Sequence, residues 1–178
     1  EETLPYASCY KPNIAFYEAC GLEGLRALKD TLALVPPDIP VIMDAKRCDI
    51  GQTASAYAEA LFSYYGVDCT TVSPYLGHES IAPLLGHPGK GLFMLCRTSN
   101  PQAGDLQRLL VSGSGQERTE AIPLYLSIAR EVTSWSEDIG LVMGATDIEA
   151  LETVRQELPD VWILCPGIGV QGGSLEQA

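Results

Sequence analysis

A parallel α/β fold is predicted for this 178-residue chain by two features. Short apolar runs of strand length alternate with longer stretches of helical period, and polar residues gather at the carboxyl ends of those runs. Such alternation builds βαβ units, whose strands are covered on both faces and therefore read as apolar throughout. The predicted strands are residues 7–10, 40–44, 68–73, 91–96, 139–143 and 161–165. At or just past their carboxyl ends stand Lys11, Asp44 with Lys46 and Asp49, Ser73, Thr98 with Ser99, Thr146 and Gln171. In parallel α/β folds ligands bind at that edge, so the distribution itself marks a site.

The helices follow from period and punctuation. Residues 14–35 carry apolar side chains at helical spacing, interrupted by Gly21 and Gly24 and stopped by Pro36-Pro37. Residues 50–65 align Thr53, Tyr57, Ala60/Leu61 and Tyr64 along one face and end at Gly66, a C-cap glycine. A shorter helix over 79–85 is broken by Gly86 and Pro88, and helices over 122–135 and 148–158 complete the set. Thr146-Asp147 are the cap residues of the last one. Residues 98–120 are long, polar and rich in Gly, Ser and Gln, which fits either a disordered excursion or a lid over a site. Residues 166–173 hold four glycines directly after an apolar strand, so backbone N–H groups are free to approach an anion, and Ser174 is placed to cap a following helix.

Composition narrows the function. With 23 Asp and Glu against 11 Lys and Arg, the net charge is −12, the opposite of what a phosphate-backbone binder carries, so nucleic acid is an unpromising partner. A chain that is 46% hydrophobic can bury a sizeable core, and its length fits one domain better than two. No apolar run approaches the roughly 20 residues of a membrane helix, and the acidic start is unlike a signal peptide, so a soluble intracellular protein is expected. The six cysteines lack metal or CxxC spacing and are read as buried reduced thiols. The missing initiator Met, and a helix that starts near residue 175, mark the chain as an internal piece of something longer.

The densest chemistry lies in Asp44-Ala45-Lys46-Arg47-Cys48-Asp49. Asp44 and Lys46 are two apart, so on an extended chain both side chains point to the same side. Asp49 falls in the turn before the helix, where a carboxylate suits the helix N-terminus. A lysine between two carboxylates keeps its charged form and is a proton donor rather than a nucleophile. With Lys11 from the neighbouring strand, two ammonium and two carboxylate groups would alternate, an arrangement suited to stabilising a carbanion as it forms. Taken alone, the three residues fit a surface ion-pair cluster equally well, and the glycine-rich turn also fits a tight connection without a ligand. His78 and His87 sit in Gly/Pro loops as caps or solvent-facing residues, and Tyr57, Tyr64 and Tyr65 read as core and interface packing.

Several motifs together resemble one family. They are Tyr10-Lys11-Pro12-Asn13-x-Ala15-Phe16-Tyr17-Glu18, Asp44-Ala45-Lys46-x-x-Asp49-Ile50-Gly51 with Thr53-Ala54 and Tyr57-Ala58, Leu95-Cys96-Arg97-Thr98-Ser99-Asn100-Pro101, Gly144-Ala145-Thr146, and Pro166-Gly167-Ile168-Gly169-x-Gln171-Gly172-Gly173. In this order they are similar to orotidine 5′-phosphate decarboxylase, in its longer bacterial branch. The resemblance implies a (β/α)8 barrel, decarboxylation of orotidine 5′-monophosphate to UMP in pyrimidine biosynthesis, a cytoplasmic homodimer, and neither a metal nor an organic cofactor. It further implies that Lys46 protonates C6 of the pyrimidine, that Asp44 faces the departing carboxylate, and that Lys11 links this network to the ribose hydroxyls. Asp49 and Thr53 would reach into the site of a second subunit, Thr98 and Ser99 would contact the pyrimidine edge, and Gln171 with Gly172 and its neighbouring glycines would hold the 5′-phosphate.

Three departures accompany the resemblance. Cys48 stands where the family has Gly; a positive φ there would cost roughly 1 kcal/mol or more and could displace Asp49. Ser73 replaces a usual Asn. Six strands are counted where the barrel has eight, the first and last being absent, and a complete barrel runs to about 250 residues. The chain is therefore expected to be one partial barrel domain over 1–178, an open arc lacking an Asp for the ribose and an Arg for the phosphate. A related sugar-phosphate decarboxylase and a non-catalytic fragment remain as alternatives.

Overall fold

A computed structural model describes residues 2–112 and 120–177. Contacts group the chain into two compact units, Glu1–Leu92 and Phe93–Ala178.

In the first unit a 3-10 turn at Leu4–Tyr6 precedes helices α1 (Ile14–Glu18) and α2 (Gly21–Ala33), strand β1 (Ile42–Arg47), helix α3 (Gly51–Ala58), strand β2 (Cys69–Val72) and helix α4 (His78–Leu85). Strand β3 (Gly91–Arg97) carries the chain onward. The predicted strand at 7–10 is not a strand. Tyr10 bridges Val41 and Asn13 bridges Asp44, both parallel, so residues 10–13 run beside β1 as an irregular segment. Pro12 has no N–H to give a ladder, which is why the pairing stays broken. Its carbonyl still accepts from Asp44 N at 2.9 Å, and the Tyr10 carbonyl from Ile42 N at 2.8 Å.

The long helix predicted at 14–35 divides into α1 and α2. Gly21, with φ +62°, opens α2, whereas Gly24 lies inside it. The helix predicted at 50–65 is α3 followed by a π-helical stretch, Glu59–Tyr64, ending before Gly66 with φ +71°. Its buried face is Ala54, Ala58, Leu61 and Phe62, one position on from the predicted stripe. Thr53 and Tyr64 are exposed. Tyr64 lies against Lys29, whose Nζ is 3.6 Å from the ring centroid, and Tyr57 lies against Arg47, so these tyrosines pack on cations rather than in the core.

The second unit holds helix α5 (Gly104–Gln107), the short strands β4 (Leu110–Val111) and β5 (Ile122–Pro123), helix α6 (Leu124–Thr133), strand β6 (Ile139–Met143), helix α7 (Ile148–Glu157) and strand β7 (Ile163–Leu164). Strand β6 lies between β3 and β7 and is buried at every residue, as a strand covered on both faces should be. It pairs in parallel with β7, Leu141 opposite Ile163. The antiparallel β4/β5 pair is an addition to the predicted pattern and takes Ile122–Pro123 from the start of the predicted helix. Of the predicted lid or excursion at 98–120, residues 113–119 lie outside the described residues; its described part holds a 3-10 turn at Pro101–Ala103, α5 and β4. Residues 175–177 form a turn, not the start of a helix, with Ser174 Oγ accepting from Glu176 N at 3.2 Å.

Among the described residues the parallel strands are β1, β2, β3, β6 and β7, five where six were expected, each followed or preceded by helix. Only Cys96 of the six cysteines is buried; Cys9 and Cys20 are exposed and the rest half-buried, so burial describes one thiol rather than all. Burial pushes the Cys96 thiol up to about 12. No helix of the described residues is long and apolar enough to cross a membrane.

Candidate active site

In the first unit the site is built where β1 ends. Its ladder with β2 pairs Ile42 with Cys69 and Met43 with Thr70, then resumes only at Arg47 with Val72. The intervening Asp44, Ala45 and Lys46 form a bulge, and Lys46 takes φ +48°. A bulge re-aims side chains at a strand end. Lys46 therefore meets Asp44 by this turn of the backbone and not by the two-residue repeat of an extended strand.

Asp44 is the centre of the cluster and is 8% exposed. Its Oδ1 accepts from Lys46 Nζ and from Thr71 Oγ1 at 3.0 Å. Its Oδ2 accepts from Lys11 Nζ at 3.1 Å and from Asn13 Nδ2 at 3.4 Å. Asn13 also caps α1 by accepting from Ala15 N, which fixes the side chain that reaches Asp44. Burial, the largest influence on Asp44, disfavours its charge, but the bonds and charges of Lys46 and Lys11 outweigh it and hold the carboxyl below its usual 3.8.

Among the described residues Asp49 does not join this cluster. Its Oδ1 accepts from Ile50 N at 2.8 Å, so the expected alternation of four charges has three members here: Lys11, Asp44 and Lys46. Thr53 lies exposed on the first turn of α3. Cys48 causes no positive φ, because among the described residues Lys46 is the sole non-glycine that adopts one.

In the second unit the predicted residues Ser99 and Gln171 meet across 72 positions, Ser99 Oγ donating to Gln171 Oε1 at 2.7 Å. Thr146 Oγ1 donates to the Ser99 carbonyl at 3.2 Å. Thr98 is held from both sides by Gln107, whose Oε1 accepts from Thr98 N at 2.9 Å while its Nε2 donates to Thr98 Oγ1 at the same distance. The glycine-rich turn is less open than its composition implies. Gly169 N, Gly172 N and Gly173 N donate to Gly173, Gly169 and Gly167 carbonyls, so these three amides are used in closing the turn. Gly172 has φ +91°.

Beneath this surface Asp147 accepts from Arg97 Nε at 2.7 Å, from Arg108 at 2.8 Å and from Ala150 N at 3.3 Å. Burial again opposes its charge, and the two arginines prevail to hold the carboxyl below its usual value. The sequence pattern marks Asp147 as a cap and misses the arginines; it also passes over Thr71 and Gln107. Their one visible signal is position, Thr71 in the strand next to Asp44 and Gln107 soon after Thr98. Among the described residues no three His, Cys, Asp or Glu side chains are grouped as metal ligands.

Comparison with known proteins places these features in a family. Residues 1–178 match the model of the orotidine 5′-phosphate decarboxylase / HUMPS family. The orotidine 5′-phosphate decarboxylase of Thermomicrobium roseum is 48% identical over 100% of this chain and 62% of its own length. The structure of Leishmania donovani OMP decarboxylase superposes with a TM-score of 0.83 at 44% identity, over 92% of this chain and 64% of that one. The UMP synthase of the same organism gives 0.89 at 45% identity, over 98% of this chain and 38% of that one. The chain spans 62–65% of the length of three such curated relatives. Its fold is accordingly a (β/α)8 barrel, present in part. By motif order, whole-chain match and structural likeness, the chain belongs to the orotidine 5′-phosphate decarboxylase / HUMPS family.

Proposed function

We propose that this chain carries the catalytic residues for decarboxylation of orotidine 5′-monophosphate to UMP and CO2, a step of pyrimidine biosynthesis. The observation that carries this reading is the Asp44 carboxylate held between the ammonium groups of Lys46 and Lys11 at the end of β1. The bond from C6 to the carboxylate breaks, CO2 leaves, and the electron pair stays at C6. Lys46 stabilises that charge as it develops and donates a proton to C6, the work of a general acid. Asp44 stays ionised and sits against the substrate carboxylate, so their repulsion is relieved only as CO2 departs, which favours the transition state over the ground state. Lys11 binds Asp44 and the ribose hydroxyls.

Thr98 and Ser99 contact the pyrimidine edge, and Gln171 with Gly172 holds the 5′-phosphate. Asp49 and Thr53 serve the site of a second copy, in a cytoplasmic homodimer. The exposure of Thr53, and the absence of an Asp49 bond to Lys46 among the described residues, support that division of labour.

The test follows the absorbance change as orotidine 5′-monophosphate becomes UMP, on this chain and on a version continued at both ends to the length of its relatives. Turnover in the continued protein is expected. Lys46→Ala should lower kcat at least about 100-fold while the far-ultraviolet circular dichroism stays that of the unaltered protein. Retained turnover in the variant, or none in a folded continued dimer, overturns the reading.

A further inference from the structure

The bulge that aims Lys46 has a structural problem of its own. Between the pairs Met43–Thr70 and Arg47–Val72, β1 places three residues where β2 places one. The amides of Ala45 and Lys46 therefore lose the carbonyl partners a regular ladder would supply, in a region where Asp44 and Thr71 are both buried. One side chain replaces them. Thr71 Oγ1 accepts from Ala45 N and from Lys46 N, each at 3.0 Å, and donates its own proton to Asp44 Oδ1 at 3.0 Å.

A hydroxyl has one donor and two acceptor sites, and here all three are filled. The proton direction is fixed by the partners, because both amides can only donate and the ionised Asp44 can only accept. Thr71 is 2% exposed, so water does not compete for these bonds. Its β-branched side chain is also stiff about χ1, which holds the oxygen in place. The neighbouring Thr70 does something different, donating to the Met43 carbonyl at 3.0 Å.

We propose that Thr71 is a positioning residue for the proton donor. It fixes the left-handed backbone of Lys46 at one end and, through Asp44, the ammonium group at the other. A long flexible lysine is thereby restrained at both ends before substrate arrives, which is what an oriented proton transfer requires. The proposal rests on Lys46 being the donor to C6, and it adds a residue that touches neither substrate nor the reacting carbon.

The experiment compares Thr71→Val, which keeps the shape and removes the hydroxyl, with Thr71→Ser, which keeps the hydroxyl, in the chain continued at both ends. Thr71→Val should lower kcat about 100-fold with KM changed less than about threefold, and Thr71→Ser should stay within about threefold of the unaltered kcat. Hydrogen exchange at the Ala45 and Lys46 amides should accelerate at least about tenfold in Thr71→Val alone. Unaltered kcat in Thr71→Val overturns the proposal, as does a 100-fold loss in a folded Thr71→Ser. If Thr71→Val does not fold, Thr71→Ser decides by the same criterion. If the unaltered protein does not act on the nucleotide, the decarboxylase reading fails on its own, and amide exchange alone decides whether Thr71 holds the bulge.

Discussion

Asp147 has two duties at the start of α7. It caps the helix through Ala150 N, and it is the common acceptor for Arg97, whose side chain is 10% exposed, and Arg108, whose side chain is 43% exposed. Arg97 also donates to the Thr98 carbonyl at 3.1 Å and to Gln107 at 3.2 Å, so the carboxylate indirectly steadies the segment that holds Thr98. Removing one member of a buried pair leaves the other charge without compensation, which costs about 3 kcal/mol or more; an exposed ion pair is worth about 1 kcal/mol at most. Asp147→Ala should therefore lower the unfolding free energy in urea by about 3 kcal/mol, and Arg108→Ala by no more than about 1. Equal losses would show that the exposed Arg108 bond, and not the buried Arg97 pair, carries what Asp147 contributes. The cap was legible because it is local, Thr146-Asp147 standing just before a helical period. The arginines were not, because they lie 50 and 39 positions away and only the fold brings them in. Thr71 was hidden for another reason: a β-branched residue in an apolar strand needs no further explanation until its hydroxyl is placed. Lys46 shows the limit most clearly, since the spacing from Asp44 assigned the right partner through an extended backbone that it does not adopt.

The ends of β3 and β6 approach each other so closely that the element itself dictates a residue. Gly144 N donates to the Arg97 carbonyl at 2.6 Å, and a Cβ added at Gly144 would lie 2.7 Å from Ser99 Cα and 2.8 Å from Ser99 N. Those are backbone atoms, which cannot swing aside as a side chain could. Gly144→Ala should push Ser99 away from Gln171 and cost about 1–3 kcal/mol, the usual range for overpacking. A lowered urea midpoint, with the Ser99 amide resonance displaced, would be the result; an unchanged midpoint would mean the two strand ends separate freely. At this scale the sequence was legible wherever an apolar run was bounded by strong punctuation. The strand at 139–143 and the helix at 148 onward fall where they were expected. It was illegible where pairing, not period, makes the element. Residues 10–13 are held beside β1 by two bridges around a proline, and β4 with β5 is a two-residue ladder too short to carry any alternation.

Over the whole molecule two electrostatic effects oppose each other as pH falls. The net charge of −12 at pH 7 makes the folded chain repel itself, and protonation of exposed carboxylates below neutrality relieves that repulsion. Asp44 and Asp147, one in each unit, act in the other direction. Both carboxyls are held below their usual 3.8 in the folded state, so the unfolded chain takes up protons first. The stability they contribute is fully present above the unfolded value and is lost as pH falls through the lower folded values. Urea unfolding at low ionic strength should therefore show stability rising modestly from pH 8 towards 5 and then falling steeply below about 4. Salt separates the two limbs: at about 0.5 M the gain on the neutral side should shrink, because exposed charges more than a few ångströms apart are screened, while the acid loss persists because the two buried clusters are shielded from ions. Asp147→Ala should flatten the acid limb while leaving the neutral limb intact. An acid limb as steep in that variant as in the unaltered chain would move the cause of acid unfolding from these buried carboxylates to the surface.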